Sequence, residues 1–148
     1  MDILKILLAT LIGTSVMTLF SYLMSEAFQK LFKEPVLLNL LVDRAGIAEI
    51  HDSRRNLLGW VLHFLVGLAF VIIYDRIWAW TELEPSWTTG LIFGAVSGII
   101  GILAWMTMFA MHPREPRIDF KKYYLQLFFA HVLFGLGATA VYLYFLRI

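Results

Sequence analysis

Four apolar runs dominate the chain, and each is long enough to cross a lipid bilayer as a helix. They cover residues 3–24, 57–74, 88–111 and 123–146. The hydrocarbon core of a bilayer requires about 20 consecutive apolar residues per helix. A soluble domain could not bury a chain of 148 residues that is 60% hydrophobic and has a mean hydropathy of +0.76. We therefore predict an all-α integral membrane protein, a bundle of four transmembrane helices in one membrane domain at residues 1–148.

The positive charges are distributed unevenly between the two sides of this predicted bundle. Nine of the twelve Lys and Arg residues lie in the connections at residues 25–56 and 112–122. Because segments rich in Lys and Arg stay in the cytoplasm during insertion, we predict that both connections are cytoplasmic and both termini are outside. The membrane is predicted to be a bacterial inner membrane. A net charge of +1 with no long basic stretch predicts no binding of nucleic acid.

The first connection contains an apolar segment, residues 36–42, that is too short to cross the membrane. Pro35 precedes this segment and is expected to break the first helix. We predict a short interfacial helix on the cytoplasmic surface, and a re-entrant segment is the alternative. The acidic residues near the cytoplasmic ends of the spans are expected to be solvated; they are Glu34, Asp43, Glu115 and Asp119.

A histidine stretch occurs twice in the chain. Residues 62–68 read LHFLVGL and residues 130–136 read AHVLFGL. In both copies a glycine follows the histidine by four residues and a leucine follows it by five. Both copies lie inside apolar runs, where an ionisable ring is costly and indicates a functional site.

Two further matches occur in the same order around these stretches. They are MTLFS at 17–21 with MTMFA at 106–110, and KEP at 33–35 with REP at 114–116. Repeated anchors in a fixed order predict an internal duplication of a two-helix hairpin, with repeat 1 at residues 1–80 and repeat 2 at residues 86–148. Tandem hairpins have the same orientation, so the repeats are predicted to be parallel and related by a pseudo-two-fold axis along the membrane normal.

This symmetry places His63 and His131 at one depth. Each histidine lies eight residues beyond the predicted cytoplasmic boundary of its span, which corresponds to roughly 12 Å along a helix. Met17 and Met106 are predicted to lie at a similar depth in the other two helices. The sequence therefore predicts one layer of two histidines and two methionines as the candidate site.

One hypothesis for this layer is a b-type haem with both histidines as axial ligands. The glycines one turn after each histidine would admit the porphyrin, and basic residues at the cytoplasmic boundary would bind its propionates. The predicted binding residues are His63, His131, Gly67, Gly135, Arg55 and Lys122. A second hypothesis is a Cu(I) site formed by Met17, Met106 and both histidines, because thioether and imidazole suit a soft ion. Transport of a small solute is a third alternative.

The simplest interpretation needs no ligand. Both histidines would hydrogen-bond to a neighbouring helix through Thr18, Thr107 or Thr139, and the glycines would be packing residues. The protein would then act as a structural or accessory subunit of a larger membrane complex, or as a homo-oligomer. The glycine face of the third span and the interfacial helix would be its contact surfaces. The apolar runs contain no paired carboxylate and no nucleophile motif, so the sequence predicts no enzymatic activity.

Overall fold

The computed structural model describes residues 2–47, 49–53, 56–111 and 117–147, and these residues form five helices. The helices are α1 (Ile3–Phe28), α2 (Glu34–Arg44), α3 (Leu57–Trp80), α4 (Trp87–Ala110) and α5 (Phe120–Phe145). No strand occurs among the described residues. Four of the helices, α1, α3, α4 and α5, are long and apolar enough to cross a membrane, which confirms the prediction of four spans.

A capping side chain marks the start of each spanning helix. Asp2 accepts a hydrogen bond from the backbone N–H of Lys5, and Asp119 accepts one from Lys122. Asn56 caps α3, and Ser86 exchanges hydrogen bonds with residue 89 at the start of α4. These side chains satisfy N–H groups that have no partner within the helix, so the chain sets the helix boundaries locally.

The boundary between α1 and α2 differs from the prediction. The first helix ends at Phe28, and Gln29 follows it in the left-handed conformation with φ of 51°. Pro35 does not break α1; it lies in the first turn of α2. Proline suits that position because the first N–H groups of a helix have no intrahelical acceptor.

The spanning helices are arranged in the order α3, α1, α5, α4. The two most extensive contacts are those of α5 with α4 and of α5 with α1, while α3 packs on α1 and α2 packs on α3. We call the end of the bundle that holds α2 the α2 end, and the end that holds both chain termini the terminal end. At the terminal end, the rings of Tyr74 and Trp78 on α3 contact Phe93 on α4. Tyr74 also hydrogen-bonds Ser97 across the same gap, at 2.6 Å.

Small residues allow α4 and α5 to approach each other closely. We call Gly90, Gly94 and Gly98 of α4 together with Gly135 of α5 the glycine seam. A Cβ atom added to Gly94 would lie 2.7 Å from the carbonyl oxygen of His131, and one added to Gly135 would lie 2.5 Å from that of Gly90. The glycine face of α4 is therefore covered by α5, and the expectation that it is an exposed contact surface was wrong.

The short helix α2 exists close to its predicted position, but much of it is buried within the protein. Asn39 lies at its centre and is 1% exposed. The Asn39 side chain donates to the carbonyl oxygens of Ser53 and Asn56 and accepts from the N–H of Gly59, at 2.7–2.8 Å. These bonds attach α2 to the start of α3. The interfacial location of α2, the internal repeat and the orientation in the membrane stay predictions.

Candidate functional site

A cavity of about 260 Å³ lies between α3 and α4 in the half of the bundle nearer the α2 end. Side chains from all five helices line it. We call it the histidine cavity; it is formed by Thr14, Met17, Glu34, Leu38, His63, Val66, Gly67, Phe70, Ile100, Gly101, Ala104, Trp105, Met108, His131 and Phe134. Most of these side chains are apolar, and a few polar groups lie among them. This composition is typical of small-molecule sites.

His63 is buried and hydrogen-bonded to the neighbouring helix α1. Its Nε2 lies 3.0 Å from the hydroxyl oxygen of Thr18, and that hydroxyl donates its own proton to the carbonyl oxygen of Thr14 at 2.6 Å. Thr18 therefore accepts from His63, which assigns the ring proton to Nε2. Within the described chain, Nδ1 of His63 has no hydrogen-bond partner. The expected bond through Thr18 is confirmed.

His131 is held by its own helix. Its Nδ1 donates to the carbonyl oxygen of Leu127 at 2.9 Å, because a carbonyl can only accept. The ring lies against Gly101 of α4 and meets Phe70 edge to face at 6.0 Å between centroids. Nε2 of His131 has no hydrogen-bond partner among the described residues. Both histidines thus line one cavity, and each has one unbonded ring nitrogen.

The two other threonines proposed as partners of the histidines lie elsewhere. Thr107 donates to the carbonyl oxygen of Leu103 on its own helix. The hydroxyl of Thr139 is buried beside Gly90, and no described residue is its hydrogen-bond partner. His131 therefore contacts α4 through van der Waals packing against Gly101, and the two histidines have different surroundings.

The methionines are arranged differently from the predicted layer. Met17 lines the cavity and is 6% exposed, whereas Met106 is 47% exposed and does not line it. Met108, two residues later on α4, lines the cavity instead. Among the described residues, no group of three His, Asp or Glu side chains could hold a metal ion.

The two glycines of the histidine repeat are close-packing residues. A Cβ atom on Gly67 would lie 2.2 Å from the hydroxyl oxygen of Thr14, and Gly135 belongs to the glycine seam. The surface at Gly135 that was expected to admit a porphyrin is occupied by the backbone of α4. Lys122 is exposed and forms an ion pair with Asp119 at 3.7 Å, while Arg55 lies outside the described residues.

Glu34 is the main cavity residue that the sequence interpretation missed. It was expected to be solvated, but it is 1% exposed. Its Oε1 accepts from the hydroxyl of Ser21 at 2.8 Å and from the side-chain N–H of Gln126 at 3.5 Å, whereas Oε2 has no described hydrogen-bond partner. Burial raises the pKa of this carboxyl from 4.5 to about 7, and its hydrogen bonds oppose that shift.

A sequence signal for this burial was present on α1. Hydroxyl residues recur one turn apart at Thr14, Thr18, Ser21 and Ser25. All of them are buried, and Ser21 lies directly against Glu34. A polar stripe along a membrane helix predicts polar partners on the elements that pack against it.

The cavity opens toward the lipid-facing surface of the bundle. Val66 of α3 and Ile100 of α4 line it and are 52% and 49% exposed, and Ala104 beside them is also exposed. Both histidines and Glu34 also line the cavity and are buried. A molecule dissolved in the bilayer could reach these polar groups through the opening between α3 and α4.

Comparison of the chain with protein-family models, with curated proteins and with solved structures gave no match. Function is therefore inferred from the geometry of the histidine cavity.

Proposed function

We propose that this membrane protein binds a small, predominantly apolar molecule in the histidine cavity. The observation that carries the proposal is the convergence of three buried ionisable side chains, His63, His131 and Glu34, on a cavity with otherwise largely apolar walls. Buried polar groups are normally satisfied within the protein. Here one ring nitrogen of each histidine and one oxygen of Glu34 have no described partner, so a ligand with polar atoms complements them.

The size of the cavity limits the class of ligand. Sites for drug-sized molecules have volumes of roughly 300–1,000 Å³. A cavity of about 260 Å³ lies just below this range and suits a ligand of a single ring or a short chain. The mouth beside Val66, Ile100 and Ala104 favours a ligand that partitions into lipid.

A b-type haem is the second candidate. It is favoured by the two histidine rings in one cavity and by the bond from Nδ1 of His131 to the carbonyl of Leu127. Histidines that bind metals commonly fix the ring by such a bond from the other nitrogen. A porphyrin needs more room than the cavity holds, so α3 and α4 would have to separate. An absorption spectrum of the protein purified in mild detergent decides this candidate: haem gives a Soret band that is lost in His63→Ala and His131→Ala.

The experiment for the main proposal uses 2-phenylethanol, a neutral single-ring compound, and the variant Ala104→Phe. The larger side chain fills the mouth of the cavity, so the variant is expected to bind at least about tenfold more weakly than the wild type. Val96→Phe is the matched control, because Val96 lies on the same helix, is 50% exposed and does not line the cavity. Binding is measured by equilibrium dialysis in detergent, with empty micelles subtracted.

Equal binding by the wild type and Ala104→Phe would overturn the proposal, because the compound would then bind outside the histidine cavity. Mass spectrometry of small molecules extracted from both purified proteins gives a second readout. The wild type is expected to retain a compound that Ala104→Phe loses and Val96→Phe keeps.

The role of structural or accessory subunit stays a prediction with less support. The glycine seam that was to supply one contact surface is buried between α4 and α5. Blue-native electrophoresis of membranes containing the protein tests this role. Recovery as a monomer alone would contradict it, whereas a discrete larger complex would support it alongside ligand binding.

A further inference from the structure

We infer that the ligand of the histidine cavity is a small organic cation with an apolar body, bound through an ammonium group to the carboxylate of Glu34. This inference rests on the proposed function, since it specifies the chemical class of molecule that the cavity binds.

The first observation is the state of the Glu34 carboxyl group. Glu34 is 1% exposed and lines the cavity, and its Oε2 has no described hydrogen-bond partner. An ammonium group carries three N–H donors and no acceptor. It can therefore donate a hydrogen bond to the free oxygen of the Glu34 carboxylate.

The second observation is that no cationic side chain in the described part of the chain pairs with Glu34. The adjacent Lys33 points elsewhere: its Nζ pairs with Glu26 at 2.7 Å and lies 4.8 Å from the ring centroid of Tyr22. Among the described residues, no Lys or Arg lies within ion-pair distance of Glu34. Isolated buried charges are costly, and a cationic ligand removes that cost by pairing with the carboxylate.

The remaining walls suit the rest of such a molecule. Trp105 and Phe70 offer aromatic surfaces, which attract cations through their ring quadrupoles. Val66, Ile100 and Met108 supply apolar area for a hydrocarbon body. An anionic ligand would meet the like charge of Glu34, and a neutral ligand would leave the carboxylate without a counter-charge. The cavity thus discriminates by charge at one end and by hydrophobicity along its length.

Protons compete with the cation for the same carboxylate. Burial raises the pKa of Glu34 to about 7, so near neutral pH an incoming ammonium displaces a proton from part of the population. The other titratable groups around Glu34 are Tyr22 of α1, His63 of α3, and Tyr123 and His131 of α5. The lining residues of α4 carry no charge. Protonated histidines would also repel a cation, so the test has to separate them from Glu34.

The experiment compares three probes of one shape: 2-phenylethylamine as the cation, 2-phenylethanol as the neutral compound and phenylacetate as the anion. At pH 8 the wild type is expected to bind the amine at least about tenfold more tightly than the alcohol, and phenylacetate least tightly. In Glu34→Gln, which keeps hydrogen-bonding atoms for Ser21 and Gln126, the preference for the amine is expected to disappear. In His63→Gln the preference is expected to persist.

A measurement on the wild type alone provides an independent readout. Amine binding near pH 7 in a weakly buffered solution should release a fraction of a proton per molecule bound, and binding should weaken about tenfold between pH 8 and pH 5.5. Equal affinity for amine and alcohol would overturn the cation inference while leaving the proposed function intact. Preference for the amine that survives in Glu34→Gln would also overturn the inference. Failure of all three probes to bind would overturn both.

Discussion

The two sides of helix α4 meet the rest of the bundle in opposite ways. Along the glycine seam, backbone approaches backbone so closely that a single added Cβ atom on Gly135 would lie 2.5 Å from a carbonyl oxygen. On the side that faces α3, the same helix is separated from its neighbour by a cavity of about 260 Å³. Helix α4 contacts α3 again at the terminal end, where Phe93 packs against Tyr74 and Trp78.

The difference shows how a membrane bundle can combine rigidity with an internal site. Between helices in lipid, apolar burial supplies little driving force, so close packing of small residues holds the pair together. The seam fixes α4 on α5 and thereby positions His131 against Gly101. Because α5 holds α4 in place, the histidine cavity between α3 and α4 can remain open. The polar side chains that line it then stay available.

The largest effect on stability is expected from a substitution in the glycine seam. Gly135→Ala places a methyl group against the backbone of Gly90 and Gly94, and backbone atoms cannot move aside as side chains can. We expect a loss of about 3 kcal/mol or more in the free energy of unfolding, at the upper end of overpacking costs. The measurement is a denaturant titration in micelles. Val96→Leu, on the exposed face of α4, is the control. A Gly135→Ala protein as stable as the wild type would show that the seam is not tight.

The second expected effect concerns the polar end of the cavity. Folding raises the pKa of Glu34 from 4.5 to about 7, so the folded protein binds this proton more tightly than the unfolded chain does. The resulting stabilisation is complete below pH 4.5 and is lost as the pH rises to about 7, a change of about 3 kcal/mol. Unfolding titrations of the wild type and Glu34→Gln from pH 4 to 8 measure it by difference. Parallel pH profiles of the two proteins would rule out a titrating Glu34.

A smaller effect is expected where α1 contacts the cavity. Thr18→Val removes the acceptor of His63 Nε2 without changing the side-chain shape. Polar contacts between membrane helices contribute about 1 kcal/mol each, so we expect a destabilisation of that size. Thr107→Val is the matched control, because its hydroxyl bonds only within α4. An equal loss in both variants would assign the effect to the threonine rather than to the histidine bond.

The smallest effect on stability is expected at the mouth of the cavity. Ala104→Phe projects from an exposed position into open space, so the free energy of unfolding should change by no more than about 0.5 kcal/mol. The same denaturant titration measures it. A loss above about 2 kcal/mol would mean that α3 and α4 are packed together there, which would contradict an open cavity.

Much of the fold was predictable because length and local chemistry determine it. The spanning helices begin at capping residues such as Asn56 and Ser86, which can be read from the sequence. The histidine repeat also predicted two buried rings, and Thr18 was one of the three threonines expected as partners. The error at Pro35 arose because proline disrupts the interior of a helix but is favoured in its first turn. Which effect applies depends on the residues that precede it.

The rotation of each helix could not be predicted with the same certainty. In a soluble helix the apolar stripe marks the buried face, but a membrane helix is apolar both toward lipid and toward its neighbours. Met106 and Met108 differ by about 200° around α4, and nothing in their polarity indicates which one faces inward. The structure places Met108 in the cavity and Met106 toward the outside.

The sequence by itself determined the membrane as solvent, the four spans and the burial of His63 and His131. Hydrophobicity and hydrogen-bonding requirements act over a few neighbouring residues, so these features need no knowledge of the fold. Only the tertiary structure decided that α5 covers the glycines of α4 and that α2 carries Glu34 against Ser21 and Gln126. Both depend on which helices become neighbours, because a carboxyl group is buried or solvated according to what packs around it.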